Sequence, residues 1–203
     1  MDRELNIDTA AIREWQDIES QIIYNRTEAT PYQAIDKLFD YYELLPNANF
    51  VDFGCGSGRM AFYVHNRFEI PVTGVELNNL TYTDLLNNKE TYLSKNTRQN
   101  APLNLIRDYA EKYTITKEQN TFYFFNPFTV SIFDKVISNI EQSILLNPRD
   151  ADIILYYPVY ELQQVMREKS FFQRVGSINL RDIFDDEYEK FIVYHFDSSI
   201  YSL

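Results

Sequence analysis

Three glycines at alternate positions, Gly54, Gly56 and Gly58, follow a short apolar run and precede a stretch with helical spacing. In a strand–loop–helix context, glycines permit a tight turn and remove Cβ atoms where a ligand must lie against the backbone. Glu76 closes the next apolar run, where a carboxylate can accept hydrogen bonds from both ribose hydroxyls of an adenosine. A dinucleotide loop reads G-x-G-x-x-G and turns its helix N-terminus toward a pyrophosphate. Here the sixth position is Arg59 rather than Gly, and Asp52 stands two residues before the first Gly. That carboxylate is a poor neighbour for a pyrophosphate. It is a good one for the ammonium of a methionine moiety.

Elements that could hold these residues follow from the apolar spacing. Strands are predicted at 49–53, 72–77, 103–107, 122–125 and 152–157, and helices at 59–68, 80–93, 131–146 and around Leu162, Val165 and Met166. The stripe of the 131–146 helix is Ile132, Phe133, Val136, Ile137, Ile140, Ile144 and Leu145. The stretch 96–102 is polar and turn-rich. Two late extended segments, 171–180 and 191–196, have no helix between them. The reading is an α/β fold with a mostly parallel sheet, helices on both faces and an antiparallel hairpin at one edge. Before the sheet, residues 1–46 read as an N-terminal helical extension to a domain over 47–203. In it, Ile12, Trp15, Ile18, Ile22 and Ile23 predict a helix over 9–24. A second helix is predicted to start with Thr30 as N-cap and Pro31 at the first position.

Val51-Asp52-Phe53-Gly54-Cys55-Gly56-Ser57-Gly58 resembles the first motif of the class I S-adenosylmethionine-dependent methyltransferases, and Gly74-Val75-Glu76-Leu77 resembles their second. Arg107-Asp108 falls where that family has a polar residue for the adenine amino group. The resemblance implies a seven-stranded, Rossmann-like sheet with S-adenosylmethionine over the C-terminal strand ends. Its implied contacts are the loop (Phe53, Gly54, Cys55, Gly56, Gly58 and Arg59), Asp52 at the methionine end and Glu76 on the ribose. Leu77 and Asn78 would flank the adenine, and Asp108 would meet its amino group. Asn126-Pro127-Phe128 is similar to the Asn-Pro-Pro-Tyr/Phe motif of methyltransferases that modify planar amino nitrogens, with the second Pro absent. There the Asn side chain and a backbone carbonyl accept the amine's hydrogens and the aromatic ring stacks on the target. Thr30 and Tyr32 at the helix start are candidates to close over the methionine end or the acceptor.

The chain of 203 residues carries a formal net charge of −11, a field that repels phosphate backbones. A small molecule or a protein side chain is therefore favoured as methyl acceptor. A base in RNA or DNA stays open through a local patch of Arg167, Lys169, Arg174 and Arg181 around Phe171 and Phe172. Two further readings remain: a module that binds the cofactor without catalysis, and a nicotinamide-dependent oxidoreductase, against which Arg59, Asp52 and the late strand pair all count. Cys55 is the sole cysteine and no base is visible to activate it; with His65 and His195 far apart, no zinc pattern is present. Asp185-Asp186-Glu187 and Glu189 read as a solvated acidic loop. No apolar run is long enough to span a bilayer and no signal peptide is visible, so the expected location is cytoplasmic.

Overall fold

The computed structural model describes residues 1–97 and 99–201; Arg98, in the expected turn-rich stretch, and Ser202 and Leu203, at the end of the expected 47–203 domain, lie outside the described residues. Seven strands form one sheet: β1 (Phe50–Phe53), β2 (Val72–Glu76), β3 (Leu103–Arg107), β4 (Thr121–Phe125), β5 (Ala151–Tyr156), β6 (Gln173–Asn179) and β7 (Lys190–Phe196). Their order is β3-β2-β1-β4-β5-β7-β6. The first five are parallel, and β7 enters antiparallel between β5 and β6. The seven-stranded α/β sheet with its late hairpin is as the sequence led us to expect. The strand order reverses between β1 and β4, and in open parallel sheets the crevice outside such a switch point is where ligands bind.

The helices are α1 (Asp2–Leu5), α2 (Ile18–Ile23), α3 (Tyr32–Tyr41), α4 (Arg59–Phe68), α5 (Asn79–Lys95), α6 (Val130–Leu146) and α7 (Tyr160–Glu168). Strand alternation divides the core in two. Val51 and Phe53 of β1 pack with α6 and α7, while Phe50 packs with α3, α4 and α5 on the other face. All four β1 residues are buried, which explains the continuous apolar run broken only by Asp52. The α6 stripe is as predicted except Leu145, which faces outward and is 55% exposed.

The N-terminal region departs from expectation. Residues 9–24 do not form one helix; only α2 is helical there. Ile12, Ile18 and Ile22 are exposed, so their helical spacing marks no core face. Thr30 is not the N-cap of α3, which begins after Pro31. Its hydroxyl instead pairs with the Tyr123 hydroxyl at 2.6 Å, bringing the start of α3 onto β4. Leu5, Ile7, Ala34, Ile35 and Leu38 share the α4 side of the core with Phe50.

Candidate functional site

Register sets the two acidic residues on one face, two positions apart along the strands. Asp52 pairs with Gly74 on parallel strands, so Asp52 and Glu76 project from the same face of the sheet. Both are buried. Glu76 Oε2 accepts the Gly56 N–H at 2.9 Å and Oε1 accepts the Asn78 N–H at 2.7 Å. Burial pushes the Glu76 carboxyl up to about 7 despite these donors. Burial and the neighbouring charge of Glu76 push Asp52 up to about 8, with the Ala61 N–H in the first turn of α4 pulling the other way. Among the described residues no cation pairs with either carboxylate. A buried carboxylate pair without a counter-charge is costly, and is a ready partner for an ammonium or for hydroxyl donors.

The Gly loop lies above this pair. Gly54 (φ +72°) has its missing Cβ position 2.4 Å from Pro127 Cβ, and Gly56 (φ +57°) has its own 2.7 Å from Thr27 Cγ2. Any side chain there would collide with the end of β4 or with the N-terminal region. Two small cavities flank the loop. One, of about 50 Å³, is lined by Gly54, Glu76, Leu77, Asp108, Pro127 and Phe128 among others. The other, of about 20 Å³, is lined by Thr30, Asp52, Gly54, Cys55, Gly56 and Arg59 among others.

Several expected contact residues do other work. Phe53 stacks on Phe124 in the core, with ring centroids 5.1 Å apart. Gly58 is the N-cap of α4 and packs beneath Phe62 and Leu85. The Asn78 side chain caps α5 by accepting from Leu80 N and Thr81 N. The Tyr32 hydroxyl donates to Asp2, away from the loop. The Arg59 guanidinium donates to Thr9 Oγ1, to the Thr9 carbonyl and to the Thr30 carbonyl, and lies over the Tyr32 ring. It pins the N-terminal segment while also lining the smaller cavity beside the loop. Burial and the charges of Asp52 and Glu76 push the Cys55 thiol well up, so it carries no thiolate nucleophile.

Residues 13–29, which the sequence reading left out of the site, form a strap across the cleft. Arg13 and Thr27 exchange backbone hydrogen bonds, and Arg13 pairs with Asp84 on α5 at 2.6 Å. Trp15 and Tyr24 pack ring against ring, tilted 32°, with centroids 4.9 Å apart. Asn25 then seals the strap to the end of β4: its N–H donates to the Pro127 carbonyl at 3.0 Å and its Nδ2 to the Asn126 carbonyl at 2.6 Å. Asn126 sits in the left-handed region at φ +39°, uncommon for a non-glycine residue. Phe128, expected to stack on an acceptor, instead packs edge-on against Phe124 and is buried. The only local signal of the strap was the polar break at 25–29, beside an aromatic pair nine residues apart.

No family model and no curated protein matches the chain. Solved structures do. A Pyrococcus abyssi tRNA (uracil-54, C5)-methyltransferase in complex with S-adenosyl-L-homocysteine aligns over 81% of this chain at 14% identity and TM-score 0.55; the chain spans 38% of that protein. A SAM-dependent methyltransferase from Aquifex aeolicus aligns over 89% of this chain and 94% of its own length, at 9% identity and TM-score 0.59. The fold is that of the class I methyltransferases. A Streptomyces coelicolor geranyl diphosphate C-methyltransferase, in complex with Mg2+, geranyl diphosphate and S-adenosyl-L-homocysteine, shares this methyltransferase fold at 11% identity and TM-score 0.56, over 82% of this chain and 78% of that one. Among the described residues no helix is long and apolar enough to cross a membrane.

Proposed function

We propose that this chain transfers a methyl group from S-adenosylmethionine to a nitrogen nucleophile of a small molecule or protein. The observation that carries the reading is the buried, cation-free pair of Asp52 and Glu76 beneath a Gly loop at the switch point of a methyltransferase fold. The donor set suits the cofactor: Asp52 takes the ammonium, Glu76 the ribose hydroxyls, the Gly54–Gly56 backbone the methionine tail, and Leu77 and Asp108 the adenine. When bound, the cofactor supplies an electrophilic methyl on a sulfonium, passed to a lone pair as the C–S bond breaks and a thioether remains. Cavities of about 50 and 20 Å³ fall well below the roughly 300 Å³ of an ordinary ligand pocket. The strap must therefore open to admit the cofactor and repack over it. Asn126 borders the acceptor side, and catalysis is mainly positioning of the nucleophile.

A second reading, a module that binds the cofactor without turnover, is favoured by Asn25, which occupies the backbone carbonyls of Asn126 and Pro127, one of which an acceptor amine would need. A base in RNA or DNA is disfavoured as acceptor. The patch that would bind its backbone is largely neutralised by Arg167–Glu168, Lys169–Asp134 and Arg181–Glu187 pairs, and Phe172 is in the core. The test is calorimetric titration with S-adenosylhomocysteine and with NAD, followed by a methyl-transfer assay with radiolabelled donor. Selective binding of S-adenosylhomocysteine is expected. Preference for NAD would overturn the reading, and tight binding with no transfer to any amine would favour the second.

A further inference from the structure

A methyl acceptor must approach past Asn126, and a cavity large enough for one opens there. It has a volume of about 720 Å³ and shares Tyr24, Asn25 and Phe125 with the small cavity at Gly54. Its size lies within the range of ordinary ligand pockets, roughly 300–1,000 Å³. Aromatic rings wall it from two sides. Trp15 and Tyr24 come from the strap, and Phe125 and Tyr157, with centroids 6.5 Å apart, come from the ends of β4 and β5.

Its charge is strongly one-sided. Glu28 on the strap and Asp186 and Glu189 from the β6–β7 connection line it, and Arg26, also on the wall, is already met by Glu28 at 3.0 Å. Asp186 accepts from the Tyr157 hydroxyl at 2.9 Å and from the Tyr188 N–H, and Glu189 accepts from the Tyr156 hydroxyl. These neutral donors fix the carboxylates without cancelling their charge. Among the described residues no cation pairs with Asp186 or Glu189.

We infer that the acceptor is an organic amine that enters this cavity as its ammonium ion, ringed by the aromatic walls and facing Asp186 and Glu189. The inference rests on the methyltransferase reading and narrows its substrate class. Ring faces attract cations, the more so when desolvated, and unpaired carboxylates add to that attraction. A phosphate or carboxylate ligand meets like charge at the same wall. A neutral planar base can stack on the rings but leaves the carboxylate charge unmatched. An ammonium must release one proton before its nitrogen has a lone pair to offer. Glu189, whose carboxyl burial and the nearby Asp186 and Glu28 hold above the ordinary range, is placed to receive that proton.

Three probes share one skeleton and differ in charge: 2-phenylethylamine, 2-phenylethanol and phenylacetate. Each is titrated by calorimetry into the full chain at neutral pH, with and without saturating S-adenosylhomocysteine. The amine should bind at least about tenfold more tightly than either analogue, a difference of ~1.4 kcal/mol. Glu189→Gln should cut that preference about fivefold or more. Because Tyr156 leans on Glu189, the exposed Glu28→Gln is read in parallel, and should reduce amine binding while leaving the melting temperature unchanged. Equal or tighter binding of the alcohol or the acid, binding of none of the three, or an undiminished preference in both variants overturns the proposal. Failure of S-adenosylhomocysteine to bind overturns the methyltransferase reading instead, and amine selectivity without it is still decided.

Discussion

Replacing Asp52 by Asn should stabilise the ligand-free protein above neutral pH while weakening its hold on the cofactor. In the folded chain this carboxyl titrates near about 8 rather than its ordinary 3.8, because it is buried and beside Glu76. The folded state therefore keeps a proton that the unfolded state gives up. The resulting stability is fully present below about pH 4 and is lost progressively as pH rises toward about 8, at ~1.4 kcal/mol per pH unit. Asn cannot ionise, is nearly isosteric, and can still accept from the Ala61 N–H. For a chain of this size 1 kcal/mol corresponds to ~2–4 °C in melting temperature. The variant's advantage should thus grow by ~3–6 °C for each unit between pH 5 and 7. With S-adenosylhomocysteine the variant's advantage should shrink, since it forfeits a charge-assisted hydrogen bond to the ammonium worth ~1.5–3 kcal/mol, or ~10- to 150-fold in affinity. Melting curves at several pH values, with and without ligand, supply the measurement. Wild-type and variant curves running parallel across pH 5–7 would refute the argument that this carboxyl holds a proton in the fold.

Glu76→Ala removes both the ribose acceptor and the anchor of the Gly56 and Asn78 N–H groups, so calorimetry should show S-adenosylhomocysteine affinity reduced by about tenfold or more; unchanged affinity removes Glu76 from the site. Gly54→Ala places a methyl against Pro127 at a positive φ, and the urea midpoint should fall by the equivalent of ~2 kcal/mol or more; an unshifted midpoint contradicts the close approach. Asn126→Ala should lower turnover at saturating cofactor about tenfold or more while cofactor affinity holds, and full activity would exclude Asn126 from the mechanism. Arg13→Ala frees the strap from Asp84 at a cost of about 1 kcal/mol or less, so limited proteolysis within residues 13–29 should accelerate. Equal cleavage rates would show that this pair does not hold it.

Segments that bury one consistent face were legible in the sequence. The predicted bounds of α4 and β3 coincide with the observed ones, because an apolar stripe or run there has a single core to meet. Asp52 and Glu76 stood out for a related reason: each interrupts or ends an apolar strand, where a charge needs a purpose. The strap did not. Ile12, Ile18 and Ile22 carry a helical period but look outward, and what fixes the segment is backbone pairing of Asn25 with residues about a hundred positions away, which leaves no local pattern. The partners of Arg59 were not legible either, since Thr9 and Thr30 are its neighbours only in the folded chain. The acidic stretch after β6 was read as a solvated loop; only tertiary packing brings Asp186 and Glu189 against Tyr157 and Tyr156.

The two hydrogen bonds of Asn25 have a thermodynamic corollary. If only the open strap admits the ligand, the dissociation constant observed in bulk is the intrinsic one divided by the open fraction. Bonds of ~0.5–1.5 kcal/mol each then weaken apparent affinity by up to about two orders of magnitude. Affinity thereby becomes adjustable from outside the contact surface: a substitution at Arg13 or Asp84, neither of which lines the donor cavities, retunes ligand capture through the closed population alone.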